Sequence, residues 1–195
     1  MKTKVVISLF LFLFAFTGCD VAKQMTSAYN MTQCKYDYNS ISGLSIAGVD
    51  LSKGLQPLQL LQLTPLLTGQ ATSVPLNFTL NLDVNNPNTT SAMLHGLQYI
   101  LSVDGVQFTS GTVNQALNIA SGETQKLPLT LGFDIASLLS GESKSAVENI
   151  VKNFIGVGSE STKVTFQIKP TFMVGNVPIQ SPVYIPVNFT FGGKK

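Results

Sequence analysis

The chain contains no arginine and no tryptophan, and its 195 residues include one histidine and two cysteines. Each shortage closes off a class of function. Phosphate and nucleic-acid recognition leans on arginine forks and clustered basic residues, whereas the lysines here are scattered, so nucleic acid is not an expected partner. A lone His95 beside Gly96 has no second histidine or cysteine at ligand spacing, and a nucleophile needs an oriented base. His95 therefore reads as an exposed turn residue, and no metal is expected. Cys34 has only Lys35 beside it to favour a thiolate. No glycine-rich phosphate loop is present either, because the "GVGS" at Gly156 follows a helical pattern instead of opening one. The carboxylates of Asp104, Glu123, Asp134, Glu142 and Glu160 stand singly at turns, as solvated or capping residues do. Neither an enzyme nor a cofactor is expected from this inventory.

What is present begins with "MKTKVVISLFLFLFAFTGCD". Lys2 and Lys4 precede an apolar run of 12 residues, Val5 to Phe16. That run is too short to cross ~30 Å of hydrocarbon and ends in small residues, which predicts a secretion signal over residues 1–18. The closing "FTGC" is similar to the bacterial lipoprotein box, with Phe16 where leucine is usual, and makes Cys19 the expected lipidation site. An ordinary signal peptide with an incidental cysteine is the simpler alternative. Two or three acyl chains at about 0.8 kcal/mol per buried methylene would hold the chain stably at a membrane. The expected location is the bacterial cell envelope, with inner or outer membrane left open.

The 195 residues less the first 18 leave 177, enough for one domain that buries roughly 70% of its unfolded surface. Without Lys2 and Lys4, ten lysines balance ten acidic residues. Once Cys19 is acylated, Cys34 has no partner in its own chain, so the core must supply the stability, or Cys34 pairs with another chain. Residues 19–42 read as a lipidated N-terminus and polar tether, with Tyr29, Tyr36 and Tyr38 available to dock on the domain that follows over residues 43–192.

The pattern in that domain is mostly period two. "LSIAGVDLSKG" reads as a first strand with a bulge or bend. Leu55 to Leu67 fits a helical turn or two, limited by Pro57 and Pro65. "VPLNFTLNLDV" puts Leu76, Phe78, Leu80, Leu82 and Val84 on one face and polar residues on the other, as a half-buried antiparallel strand does. "LQYILSV" repeats this with Leu97, Tyr99, Leu101 and Val103, and Asp104-Gly105 predicts a tight hairpin into "VQFTSG". "KLPLTLGF" alternates again. Then Asp134 is positioned to cap a turn, Ser145 and Glu148 suggest a capping box, and Val147, Ile150, Val151 and Phe154 recur at helical spacing up to Gly156. "KVTFQIKPTFMV" and "VYIPVNFTF", joined through Gly175-Asn176, complete about seven strands with one inserted helix. The expectation is a mainly β, two-sheet antiparallel sandwich.

Between two of these strands lies "DVNNPNTT". Pro87 has no N–H and biases Asn86 to an extended conformation, while asparagine side chains mimic backbone turns and tolerate left-handed geometry. Asn85 and Asn88 are the expected partners for exposed groups at the sheet edge. The segment reads as a strand terminator and corner, or else as an asparagine-lined contact for a glycan or partner backbone.

The ordered run "LNLDVNNPN", "LHGLQYILSVDGVQFTSGTV" and "IASGETQKLPLTLGFDI" resembles the LEA type 2 (late embryogenesis abundant) family, the water-stress and hypersensitive-response domain, over about Leu44 to Phe191. The residues that carry the likeness are Asn86, Pro87, Asn88, Tyr99, Asp104, Gly105 and Gly111. The resemblance implies an immunoglobulin- or fibronectin-III-like sandwich with one helix, no catalytic residues, and a link to desiccation and other stress; bacterial members of the family are often exported lipoproteins. Two functions fit these expectations. One is a tethered stress-protective or interaction module, with envelope proteins or lipids as partners. The other is a carrier for a lipid or other apolar ligand.

Overall fold

A computed structural model describes residues 20–51, 57–62, 72–139, 143–154 and 158–193. The segment expected to be a signal peptide, together with Cys19, lies outside the described residues, as does Gly156. Eleven strands occur among the described residues, all paired antiparallel: β1 (Lys35–Ile46), β2 (Val49–Asp50), β3 (Pro75–Asn85), β4 (Ala92–Leu94), β5 (Gly96–Val103), β6 (Val106–Val113), β7 (Leu117–Ile119), β8 (Thr124–Asp134), β9 (Thr162–Val174), β10 (Val177–Gln180) and β11 (Ile185–Phe191). They form one sheet ordered β2-β1-β3-β8, a second ordered β10-β9-β5-β6 with β11 also on β9, and the small pair β4-β7. The helices are α1 (residues 20–33), α2 (Pro57–Gln62) and α3 (Ser143–Phe154), with a 3-10 turn at Ala136–Leu139.

The period-two segments form the core. Leu76, Phe78, Leu80, Leu82 and Val84 of β3 are all buried, and they meet Leu97, Tyr99, Leu101 and Val103 of β5 in one apolar cluster. Each fully buried aliphatic or aromatic side chain there contributes roughly 1.5–3 kcal/mol. The Tyr38 ring of β1 stacks on Phe189 of β11 at 4.0 Å, joining the two larger sheets directly. Prolines are confined to positions a ladder tolerates. Pro128, Pro178 and Pro186 stand on the outer strands β8, β10 and β11. Pro170 falls between the stretch of β9 that pairs with β10 and the stretch that pairs with β11.

The structure departs from the sequence reading in several places. The seven expected strands match β1, β3, β5, β6, β8, β9 and β11, and four short strands are added. The first is β2: Ala47 and Gly48 both take positive φ, so the expected bend after Ile46 is a tight reversal into Val49–Asp50. Gly175-Asn176 leads into β10, not directly into β11. Residues 20–33, read as part of a polar tether, are helical, and β1 starts at Lys35. The capping box at Ser145 is also corrected, because α3 starts two residues earlier, at Ser143. Glu148 points instead to Lys144, an exposed pair one turn apart at 3.8 Å, the kind of contact that adds little stability.

The two longer helices bind opposite ends of β9. Asn153 of α3 donates to Thr162 Oγ1 at 2.7 Å where β9 begins, and Gln24 of α1 accepts from the Gly175 N–H just past its end. Thirteen residues of strand separate these contacts by about 40 Å.

Candidate functional site

Chain reversal after β3 brings the asparagine corner together. Asn86 is 0% exposed, and its carboxamide is the hub of a polar network. Its Nδ2 donates to the Thr90 carbonyl at 2.9 Å and to the Ile119 and Ala120 carbonyls at 3.1 Å each. Its Oδ1 accepts from the Asn88 N–H at 3.1 Å, an Asx-turn across Pro87, and from Asn88 Nδ2 at 2.8 Å. Its backbone N–H donates to the Glu123 carbonyl, and its own carbonyl accepts from Gly122 N–H, both at 2.9 Å. One residue thus ties the end of β3 to the turn between β7 and β8.

The network continues into α1. Asn88 Nδ2 donates to the Asn30 carbonyl at 3.1 Å, while Asn30 Nδ2 donates to Thr90 Oγ1 at 2.7 Å and to the Ser91 carbonyl at 3.0 Å. Ser121 Oγ donates to the Asn88 carbonyl at 2.8 Å. Buried polar groups are costly unless paired, and among the described residues no buried side-chain polar atom is left without a partner. The roles expected of the asparagines are therefore redistributed. Asn85 stays at the outer edge and donates to Thr124 Oγ1 at 2.9 Å, Asn86 is the buried hub, and none of these asparagines adopts positive φ.

Tyr99 and Gly111 are direct partners across β5 and β6. A Cβ on Gly111 would stand 3.0–3.1 Å from the Tyr99 ring, so the glycine makes room for the aromatic side chain, which stacks on Phe166 at 5.4 Å. Asp104 and Gly105 have φ of 48° and 84°, the signs a type I′ hairpin requires. The Asp104 carboxylate accepts from the Lys163 N–H at 2.8 Å and from Asn149 Nδ2 at 3.0 Å. This hairpin adjoins the α3 end of β9, apart from the asparagine corner. A polar groove of mixed charge runs beside it, lined by Glu148, Lys152, Glu160 and Lys163 among others.

The remaining candidates are structural in setting. His95 is exposed, and its backbone N–H donates to the Thr171 carbonyl at 2.9 Å. Cys34 is buried and free; burial pushes its thiol up to about 11. Burial, with the nearby Cys34 thiol adding to it, drives the Tyr36 hydroxyl far above the ordinary phenol range, and that hydroxyl donates to the Met31 carbonyl at 2.9 Å. The Ser73 hydroxyl holds the Asp134 carboxyl below its usual range, helped by the N–H groups of Ala136 and Val74. This confirms Asp134 as the cap of the 3-10 turn, with Ala136 N–H at 2.8 Å. Between the sheets, Phe78, Phe133, Val164 and Phe189 help line an apolar cavity of about 40 Å³. Among the described residues no three His, Cys, Asp or Glu side chains gather in a way that could hold a metal ion.

The geometry described is that of a corner and a hairpin stapling a sandwich, and the same residues register with a known family. A family model described as "Late embryogenesis abundant protein" (LEA) matches residues 81–183, more than half of the chain. The chain belongs to the LEA type 2 family. The match runs from β3 through the asparagine corner, the Tyr99–Gly111 pair and the Asp104-Gly105 hairpin to the end of β10. The family is generally non-enzymatic. No curated protein matches the LEA chain. Its fold is similar to a crystal structure of a protein from Archaeoglobus fulgidus, 15% identical, covering 81% of this chain and 98% of that one at a TM-score of 0.40. A solution structure from Arabidopsis thaliana is 10% identical over 83% of this chain and 80% of that one, TM-score 0.41. Another solution structure, of a late embryogenesis abundant protein, is 16% identical over 97% and 89%, TM-score 0.40. Membership rests on the family model.

Asn30, Thr90 and Ser91 of the corner escaped the sequence reading. The only signal was a buried periodicity, with Ser27 and Met31 of α1 and Cys34 just past its end at helical spacing, and it was masked by the exposed Met25 and Tyr29.

Proposed function

We propose that this LEA type 2 protein is a lipid-anchored, non-enzymatic component of the bacterial cell envelope that acts in desiccation or osmotic stress, as a protective or interaction module. The observation that carries the reading is the family match over residues 81–183. The "FTGC" sequence ending at Cys19 supports the anchor, and the polar faces of the strands, rich in Ser, Thr and Asn, suit a surface that stays hydrated. We read the two larger sheets as a variant of the immunoglobulin- or fibronectin-III-like sandwich, enlarged by short edge strands. Deleting the gene tests the function: survival after drying or osmotic shock should fall, and unchanged survival would refute the protective role.

The alternative, a carrier for a lipid or other apolar ligand, draws support from the apolar lining between the sheets. The cavity there is about 40 Å³, far below the roughly 300–1,000 Å³ of ordinary ligand pockets. Native mass spectrometry of the gently purified protein separates the two readings, since a carrier would retain lipid and a protective module would appear at its apo mass.

A further inference from the structure

α1 is dressed in an unusual way. The face it turns to the domain carries Gln24, Ser27, Asn30 and Met31, three of them polar and engaged by hydrogen bonds. The face turned outward carries Val21, Met25 and Tyr29, exposed at 39%, 58% and 65%. Steps of four residues place these three side chains one above another along a single strip of the helix. A single exposed apolar residue is ordinary, but three on successive turns of one strip suggest a surface with a partner.

We infer that this strip of α1 lies against the phospholipid bilayer that holds the anchor, an inference that rests on acylation of Cys19 as proposed above. The helix is already formed at Asp20, the residue that follows the cysteine. At 1.5 Å per residue, Val21, Met25 and Tyr29 lie about 2, 8 and 14 Å along the axis from Asp20, the first residue of the helix. Acyl chains in the bilayer keep the whole strip within reach of the interface. The contact then forms at high local concentration, and modest apolar area suffices. Tyr29 at the far end has the amphipathic ring that favours the headgroup level. Only Asp20 and Lys23 are charged among residues 20–33, so the strip recognises the apolar boundary of the bilayer and not anionic headgroups. The Gln24 contact to Gly175 sets the β9–β10 hairpin beside α1, where Val177 and Ile179 are also exposed, at 61% and 46%. The consequence is a fixed orientation, with the asparagine corner near the membrane and the groove beside α3 about 40 Å away along β9.

The absence of tryptophan makes the test direct. Tyr29→Trp and Lys152→Trp each place a single fluorophore, the first on the strip and the second on α3. The mature, lipidated full-length variants are reconstituted into phosphatidylcholine vesicles with and without brominated acyl chains. The inference expects the Tyr29→Trp emission to shift to the blue and to be quenched by the brominated chains, with neither effect for Lys152→Trp and no change when anionic lipid is added. Protein that carries acyl mass and floats with the vesicles, yet shows an unquenched signal from position 29, would overturn the inference and leave the anchor standing. Absence of both acyl mass and flotation would overturn the anchor and this inference with it.

Discussion

Replacing Asn86 by alanine tests whether the corner is a structural staple. The substitution removes five hydrogen bonds made by one side chain that is 0% exposed. Some losses are cushioned: the Thr90 carbonyl keeps the Asn30 amide, and the Ala120 carbonyl keeps the Glu123 N–H at 3.2 Å. The Asn88 N–H, in contrast, loses its Asx-turn acceptor. With a net hydrogen bond near 1 kcal/mol and an orphaned buried group at about 1–3, the expected cost of Asn86→Ala is about 3–5 kcal/mol. That is a large part of the 5–15 kcal/mol typical of a domain, and corresponds to a fall of about 10 °C in Tm for this size. Urea unfolding followed by circular dichroism measures it. Asn86→Asp adds a second arm, because the introduced carboxylate would face three carbonyl oxygens. Burial then raises its folded-state pKa, so its deficit relative to the native protein should grow as pH rises above about 4, the unfolded value, and shrink as pH falls back toward it. A cost below about 1 kcal/mol for Asn86→Ala, or an Asn86→Asp deficit independent of pH, would refute the staple.

Three further outcomes are expected. Gly111→Ala should cost about 1–3 kcal/mol by forcing the Tyr99 ring aside, and thermal melts should show most of that penalty absent in a Tyr99→Leu background. Asp134→Asn should flatten the acid limb of the pH–stability profile, because a carboxyl held low in the folded state contributes stability above its unfolded pKa and loses it as pH falls through the folded value; urea midpoints between pH 2 and 5, taken as about the relevant window, check this. Cys34, held up to about 11 by burial, should resist a thiol reagent such as dithionitrobenzoate at mildly alkaline pH in the native protein and react promptly in urea. The same raised thiol makes stability decline as pH climbs from about 9 toward 11, since the unfolded chain ionises first.

Much of the sandwich can be derived from the chain alone. Alternation in "LNFTLNLDV" and "LQYILSV" assigns one face of each strand to the core, since a strand's side chains repeat every two residues whatever the strand packs against. Asp104-Gly105 specifies its hairpin for an equally local reason, as both positions must accept positive φ. The helix after Asp134 followed from its period, although its start was misplaced by two residues because Ser145 and Glu148 mimic a cap.

What the chain could not disclose was which asparagine would be buried. Asn85, Asn86 and Asn88 are chemically alike, and only the approach of Ile119, Ala120, Gly122 and Glu123, which are remote in sequence, decides that Asn86 is the hub. α1 was hidden for a related reason. Its inward face mixes the polar Gln24, Ser27 and Asn30 with Met31, while Val21, Met25 and Tyr29 point outward, so no clear hydrophobic period marked the segment as a helix. Local periodicity and turn chemistry thus determined the longer strands and the hairpin, and the ordered motifs carried the resemblance to the family. Tertiary structure decided the polar network and the exposed strip, because both depend on partners that come close only when the sheets have closed.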